Sequence, residues 1–218
     1  EKAENVTENG GENTQEKRYF AKVLWGGLLK SRKSAALPGA KIYPPTLTNS
    51  DLANIKIANE MGVTGVMQPF VRDHSDLERV KEVLREAGAE DIRLFAKIEN
   101  MDGVRKLEKL LPAADEIVIA RGDLGNAVHL WDLPGVQRQI SEKCRAAGKP
   151  FMVVTQMLAS MERSPVPTRA EVNDIFHAVM DGAASIMVTG ETAVGDYPVE
   201  VIRYMVNTVR SAEKEENR

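Results

Sequence analysis

The stretch Phe95-Ala96-Lys97-Ile98-Glu99-Asn100 constrains the fold most, together with Ala120-Arg121-Gly122-Asp123-Leu124-Gly125 one strand-to-strand spacing later. In each, a short apolar run ends abruptly in charge. Ile92, Leu94 and Phe95 lead into Lys97 and Glu99; Ile117, Val118, Ile119 and Ala120 lead into Arg121 and Asp123. Short apolar runs separated by helical stretches read as buried parallel strands. In parallel α/β folds reactive groups collect where strands end, because loops vary there while the sheet holds them rigidly. Two carboxylates at neighbouring strand ends, with a lysine two residues before the first, describe a hard-metal site beside a fixed positive charge.

The same alternation extends to both sides. A helix is expected over 51–61, with Leu52, Ile55, Ile57 and Ala58 inward, then a strand over 63–70 ending in Val71-Arg72. Leu77, Val80, Val83 and Leu84 recur at helical spacing within 75–87. Strand 92–98, helix 102–111, strand 116–120 and helix 135–147 follow, the last stopped by Gly148. Strand 151–155 precedes helix 169–180, which opens on the capping-box pattern Thr168-Arg169-Ala170-Glu171. Strand 185–189 and helix 198–213, with Pro198 in its first turn, complete the chain. Five strands with a helix after each imply an α/β fold with a parallel sheet. A closed (β/α)8 TIM barrel needs eight such units, so about five βα units amount to a partial barrel.

Upstream, residues 1–16 hold almost nothing apolar and read as a disordered tail or loop. Residues 19–25 and 28–34 could form a hairpin about Gly26-Gly27 with a basic end, able to meet an anion or simply solvated. Leu37-Pro38-Gly39-Ala40 marks a turn and a boundary. With 43% hydrophobic residues, 218 residues can bury one good core. A net charge of −3 argues against nucleic acid or an anionic membrane as the main partner. Cys144 is the single cysteine, which excludes an internal disulfide framework and fits a reducing, cytoplasmic setting. No apolar run approaches the roughly 20 residues of a membrane span. No signal peptide is visible, and a start at Glu1 suggests a processed or excised chain.

The strand ends carry the candidate chemistry. In order they read Phe70-Val71-Arg72, Lys97-Ile98-Glu99-Asn100, Arg121-Gly122-Asp123, Thr155-Gln156-Met157 and Thr189-Gly190-Glu191-Thr192. Glu99 and Asp123 can give magnesium or manganese two oxygen ligands and leave room for water and substrate; the plainer alternative is two solvent-facing carboxylates. Lys97 faces the same way as Glu99 by period-two alternation. It can neutralise charge developing beside a metal, or serve only as an ion-pair partner. Gly122 and Gly125 allow backbone amides to approach an anion closely. Thr155 could relay a proton or merely end its strand. His74, His129 and His177 lack metal-ligand spacing, Cys144 reads as a buried structural thiol, and the nine methionines read as packing. No GxGxxG or Walker pattern occurs.

These motifs, joined by Ala147-Gly148-Lys149-Pro150, Thr155-Gln156-Met157-Leu158, Pro167-Thr168-Arg169-Ala170-Glu171 and Gly190-Glu191-Thr192-Ala193, resemble the pyruvate kinase family in order and spacing, from about Gly26 to the C-terminus. The resemblance implies that residues 17–39 are a hairpin remnant of the cap domain. It implies that residues 40–218 are the second half of the (β/α)8 catalytic domain. The implied activity is phosphoryl transfer from phosphoenolpyruvate to ADP, giving pyruvate and ATP in glycolysis. Glu99 and Asp123 would hold Mg2+ or Mn2+, and Lys97 would steady the phosphoryl group. Thr155 would lie near the carbon that is protonated. The backbone at Ala120, Gly122 and Asp123 would bind the substrate carboxylate, and Glu191 would sit at the rim on the nucleotide side. The family's K+ ligands and its phosphate-gripping arginine belong to the first three barrel units, which this chain lacks. Pro69 stands where the family usually has serine, and Val194 where its loop often carries lysine. Activity of this chain alone is therefore expected to be impaired, with a homo-oligomer or a missing N-terminal barrel half as partner. Two other readings remain open: a metal-dependent pyruvate-enolate lyase or aldolase, and a non-catalytic regulatory or assembly module.

Overall fold

The computed structural model describes residues 3–5, 17–19, 22–24, 26–28, 31 and 44–216. The chain divides into two units, 1–35 and 36–218. In the first, β1 (Ala3–Asn5) pairs antiparallel with β2 (Lys17–Tyr19), Ala3 opposite Tyr19 and Asn5 opposite Lys17. A strand thus lies inside the segment expected to be a tail. Ladder bonds are made by the backbone, which composition does not report. Of the hairpin expected over 19–34, residues 22–24, 26–28 and Ser31 lie outside any strand. The remainder beyond Tyr19, like the Leu37–Ala40 turn, falls outside the described residues.

The second unit opens with α1 (Asn49–Ala58). Its cap is Thr48, whose hydroxyl accepts from the Asp51 amide while the Asp51 carboxylate accepts from the Thr48 amide. Such a reciprocal pair satisfies donors that a helix start otherwise leaves open. Ile55 and Ala58 are buried and Leu52 packs beside them, but Ile57 is 48% exposed rather than inward. Two positions along a helix is a turn of about 200°, so Ile57 falls opposite Ile55.

β3 (Gly65–Gln68) follows, then α2 (His74–Glu86), capped by Asp73, with Leu77, Val80, Val83 and Leu84 buried as expected. After β4 (Arg93–Ile98) the single helix expected over 102–111 is broken into α3 (Met101–Arg105), α4 (Leu107–Leu110) and a 3-10 turn over Leu111–Ala113. Lys106 leaves helical geometry at φ −99° and ψ 9°. Gly103 fixes the path of α3, because a Cβ there would lie 2.7 Å from the Val71 carbonyl oxygen.

β5 (Glu116–Ala120) runs without a gap into α5 (Arg121–Ala127), where a loop was expected. Next come α6 (Leu133–Ala146), β6 (Phe151–Val154), α7 (Arg169–Met180), β7 (Ser185–Met187), α8 (Gly190–Ala193) and α9 (Pro198–Glu216). Gly148, at φ 61°, supplies the left-handed residue that ends α6. The capping box of Thr168 and Glu171 forms as the sequence predicts.

β3 to β7 make one parallel sheet in sequence order. Among the described residues β3 and β7 are each paired on one side only, so the sheet is an open arc. One face carries Leu94, Ala96, Ile98, Ile117, Ile119, Phe151 and Val153 into the main core, where none exceeds 1% exposure. Full burial of the larger of these side chains is worth about 1.5–3 kcal/mol each. The other face holds a smaller cluster of Val118, Ala120 and Val154, flanked by Phe95, Met152 and Met187. On that face buried Glu116 accepts from Ser185 Oγ at 2.5 Å and Arg93 Nη2 at 3.1 Å, tying β4, β5 and β7 together near their starts. Because the strands are parallel, all five end at one side, where the candidate site residues follow them.

Candidate active site

Glu99 stands immediately after β4 and is 4% exposed. Its Oε1 lies 2.9 Å from Lys97 Nζ, and its Oε2 accepts from the Phe70 amide at 2.7 Å. Phe70, at φ 50°, is in the left-handed region, so the chain after β3 turns its amide toward the neighbouring strand. A buried carboxylate is costly unless paired and hydrogen-bonded; both conditions are met here. Asn100 completes the stitch. Its Nδ2 donates to the Val71 carbonyl at 3.1 Å and its Oδ1 accepts from the Gly103 amide at 2.9 Å, capping α3.

Ile98 is opposite Ile119 across the sheet, so Glu99 is level with Ala120 and Asp123 follows one helical turn on. Asp123 is exposed, and among the described residues its carboxylate has no hydrogen-bond or ion-pair partner. One carboxylate is therefore held rigidly and the other is free to bind. Two hard oxygen donors suit Mg2+ or Mn2+, which keep several waters and take few protein ligands. No group of three or more His, Cys, Asp or Glu is arranged for a metal among the described residues. An ion at this pair would thus keep open positions.

Across from Asp123, Thr155 and Gln156 follow β6 with φ 76° and 56°. Positive φ at a β-branched residue is a true outlier and costs on the order of 1–3 kcal/mol unless its surroundings impose it. Arg121, the first residue of α5, holds this turn. Its Nη2 donates to the Thr155 carbonyl at 2.8 Å and lies 2.8 Å from Met157 Sδ, while Nη1 bonds Asp174 Oδ1 at 2.8 Å. Gly122 is pressed against the same turn: a Cβ there would lie 3.0 Å from Thr155 Cγ2 and 3.6 Å from its Oγ1. Ala120 is buried at the junction. Ala120, Gly122 and Thr155 are thus brought together, with Asp123 on the next residue.

Glu191 differs from expectation. It is 2% exposed rather than presented at a rim, with Oε1 accepting from the Leu158 amide at 3.2 Å and Oε2 from the Thr189 amide at 2.8 Å. Two backbone donors draw the carboxylate inward, where it joins the loops after β6 and β7.

The sequence marks Arg121 as a strand-end charge without giving it a role, and it gives none to Asp174 or Asp76. For Arg72 and Asp76 the signal was their i, i+4 spacing. Asp76 accepts from Arg72 Nη2 at 2.7 Å, from the Arg72 amide at 2.9 Å and from Thr46 Oγ1 at 2.6 Å. Burial works to raise its carboxyl, but the bonds from Arg72 and Thr46 outweigh it and bring the pKa down to about 2. Cys144 is fully buried and burial pushes its thiol up to about 12, so it is no nucleophile. His74 pairs with Glu78 at 3.5 Å, His129 stacks on Trp131 and His177 lies edge-on to Phe176. Met157 and Met161 are core residues, whereas Met61 is largely exposed and does not pack.

The pyruvate kinase barrel-domain family matches residues 7–202. That match relates the open five-stranded arc to a (β/α)8 barrel, of which it is a part. The chain is 40% identical over 202 residues to a pyruvate kinase of Bacillus licheniformis, covering 93% of this chain and 34% of that protein. It is 42% identical over 183 residues to one of Geobacillus stearothermophilus, covering 84% and 31%. It is 40% identical over 199 residues to one of Candida albicans, covering 91% and 39%. The chain therefore spans about a third of the length of these relatives.

Proposed function

The chain belongs to the pyruvate kinase family, and from that premise we propose that residues 40–218 form the second half of its catalytic barrel, with residues 17–39 a remnant of the cap. The reaction is phosphoryl transfer from phosphoenolpyruvate to ADP, giving pyruvate and ATP. The relatives' common name weighs against the lyase or aldolase alternative. Family membership is consistent with dependence on Mg2+ and K+; in our reading Glu99 and Asp123 hold the divalent ion, and the K+ ligands belong to barrel units outside this chain.

The observation that carries the proposal is the Glu99 carboxylate, buried at a strand end yet bound to Lys97 at 2.9 Å and to the Phe70 amide. A divalent cation there would draw electrons from the carboxylate and enol oxygens of the substrate. Lys97 neutralises charge on the phosphoryl group as it moves. The amides at the start of α5, around Ala120, Gly122 and Asp123, receive the substrate carboxylate. Thr155, in contact range of Gly122, holds its hydroxyl beside the carbon that gains a proton when enolpyruvate becomes pyruvate.

The unpaired sides of β3 and β7 support a partner that completes the arc, either a second copy or the other barrel half, because open edges recruit strands. The buried free thiol of Cys144 fits a reducing compartment, the cytoplasm. Among the described residues no helix is long and apolar enough to cross a membrane.

Proton NMR of pyruvate in deuterated water tests the assignment. With Mg2+ and the 218-residue chain, the methyl signal should fade as its protons exchange, and Glu99→Gln should abolish the effect. Exchange no faster than with Mg2+ alone would overturn the proposal.

A further inference from the structure

Two consecutive non-glycine residues in the left-handed region, one of them β-branched, do not hold that shape by themselves. The turn from Thr155 to Leu158 is gripped at both ends. Arg121 holds the Thr155 carbonyl and the Met157 sulfur, and the buried Glu191 carboxylate receives the Leu158 amide. The Arg121 side chain is only 12% exposed, and its second arm is taken by Asp174, at 2.7 Å from Oδ2. It is thus turned away from a ligand and toward the turn.

We propose that Arg121, oriented by Asp174, is a positioning residue that sets where the Thr155 hydroxyl stands above the first turn of α5. This rests on the function proposed above, in which Thr155 adjoins the protonated carbon. Arg121 is suited to the task by shape. A guanidinium is planar and donates along two arms at once, so it can hold a carbonyl on one and a carboxylate on the other; a lysine offers one compact charge. Covalent proximity adds to the effect, because Gly122 follows Arg121 directly and itself abuts Thr155 Cγ2. One short segment therefore supplies both the arm that fixes the turn and the surface against which the threonine side chain rests.

A double-mutant cycle on the pyruvate exchange rate tests this. Thr155→Ala should slow exchange about 100-fold, the low end of a positioned proton donor's contribution. Arg121→Lys should also slow it about 100-fold, the cost of a displacement near 1 Å, leaving the half-saturating pyruvate concentration unchanged. In the Thr155→Ala background Arg121→Lys should then cost less than about twofold, since residues acting through one another are not additive. An equal loss in both backgrounds, or no loss from Thr155→Ala, would overturn the proposal.

A second arm is independent of turnover. In chain labelled at threonine γ-methyls, the Thr155 signal is identified by its disappearance in Thr155→Ser. Arg121→Lys and Asp174→Asn should each displace it, while Arg138→Lys, at an exposed ion pair with Glu142, should not. Asp174→Asn decides the matter if Arg121→Lys does not fold. Should the parent chain show no exchange, the proposed function fails for this chain, and the methyl signal alone decides: displaced, the clamp stands; unmoved, it falls.

Discussion

Lys97 Nζ, on β4, stands 2.9 Å from Oε1 of Glu99 just past that strand's end, and the Phe70 amide donates to the other carboxylate oxygen. Each oxygen of the proposed metal ligand therefore already has one protein partner. A cation approaching Oε1 must share it with an ammonium or displace it, whereas Asp123 has no competing partner among the described residues.

Metal affinity is accordingly expected to rise when the lysine is removed. Calorimetry with Mn2+ should find one modest site in the parent chain. Lys97→Met should tighten it about tenfold, or 1.4 kcal/mol, because a like charge is lost from beside the ligand. Glu99→Gln combined with Asp123→Asn should remove it. Weaker binding in Lys97→Met would show that the lysine does not oppose the metal, and stoichiometric binding in the double variant would remove both carboxylates from the site.

Gly122 and Gly135 should respond oppositely to the same change. A Cβ at Gly122 meets Thr155 Cγ2 at 3.0 Å, and that side chain cannot yield because Arg121 holds its backbone. Gly122→Ala should destabilise by about 1–3 kcal/mol as an overpacked contact. Gly135, in the first turn of α6, has nothing within 4 Å of the added atom. Gly135→Ala should stabilise by about 0.5 kcal/mol through reduced chain entropy. Urea unfolding of the two variants measures both signs; equal effects would contradict the tight approach at Gly122.

Much of this arrangement was readable before the structure. Alternating apolar runs place the five parallel strands, and period-two alternation alone puts Lys97 on the side of Glu99. The Thr168 and Glu171 box is written in four residues. What escaped depends on distant partners. The left-handed Thr155 exists because Arg121, 34 positions earlier, holds its carbonyl, and no local propensity encodes that. The family resemblance implies a rim position for Glu191, yet the Leu158 and Thr189 amides draw its carboxylate inside. Arg121-Gly122-Asp123 looks like a loop because its residues are polar and flexible. It is helical because the chain leaves β5 directly into α5, a choice made by packing rather than composition.

Acid should unfold this chain partly through Asp76. Its folded pKa, about 2, lies below the ordinary 3.8. A depressed carboxylate contributes stability that is fully present above the unfolded value and is lost as pH falls through the folded one. The difference corresponds to about 2 kcal/mol. Asp76→Asn should therefore melt lower than the parent at pH 6, with the gap closing between pH 4 and pH 2. A gap unchanged across that window would mean that Arg72 and Thr46 do not favour the ionised form.

Phosphoryl transfer by the purified 218-residue chain is expected to be slow even with Mg2+ bound, and the reason is charge balance at the strand ends. Among the described residues three cations stand there, each beside a carboxylate: Arg72 with Asp76 at 2.7 Å, Lys97 with Glu99 at 2.9 Å and Arg121 with Asp174 at 2.7 Å. A phosphoryl group in transfer spreads negative charge over three oxygens, and catalysis consists mainly of positioning and neutralising them. Cations already neutralised by the protein do this poorly, and each missing donor costs about 100- to 1,000-fold. Exchange of pyruvate's methyl protons asks less, because charge develops on one oxygen, within reach of an ion that Glu99 and Asp123 would hold. The two rates should separate: methyl exchange measurable by NMR, and pyruvate formation from phosphoenolpyruvate and ADP, followed through lactate dehydrogenase, at least about 100-fold below the 1–100 per second of ordinary kinases. Turnover within that ordinary range would show that the paired cations are free enough to serve the phosphoryl group after all.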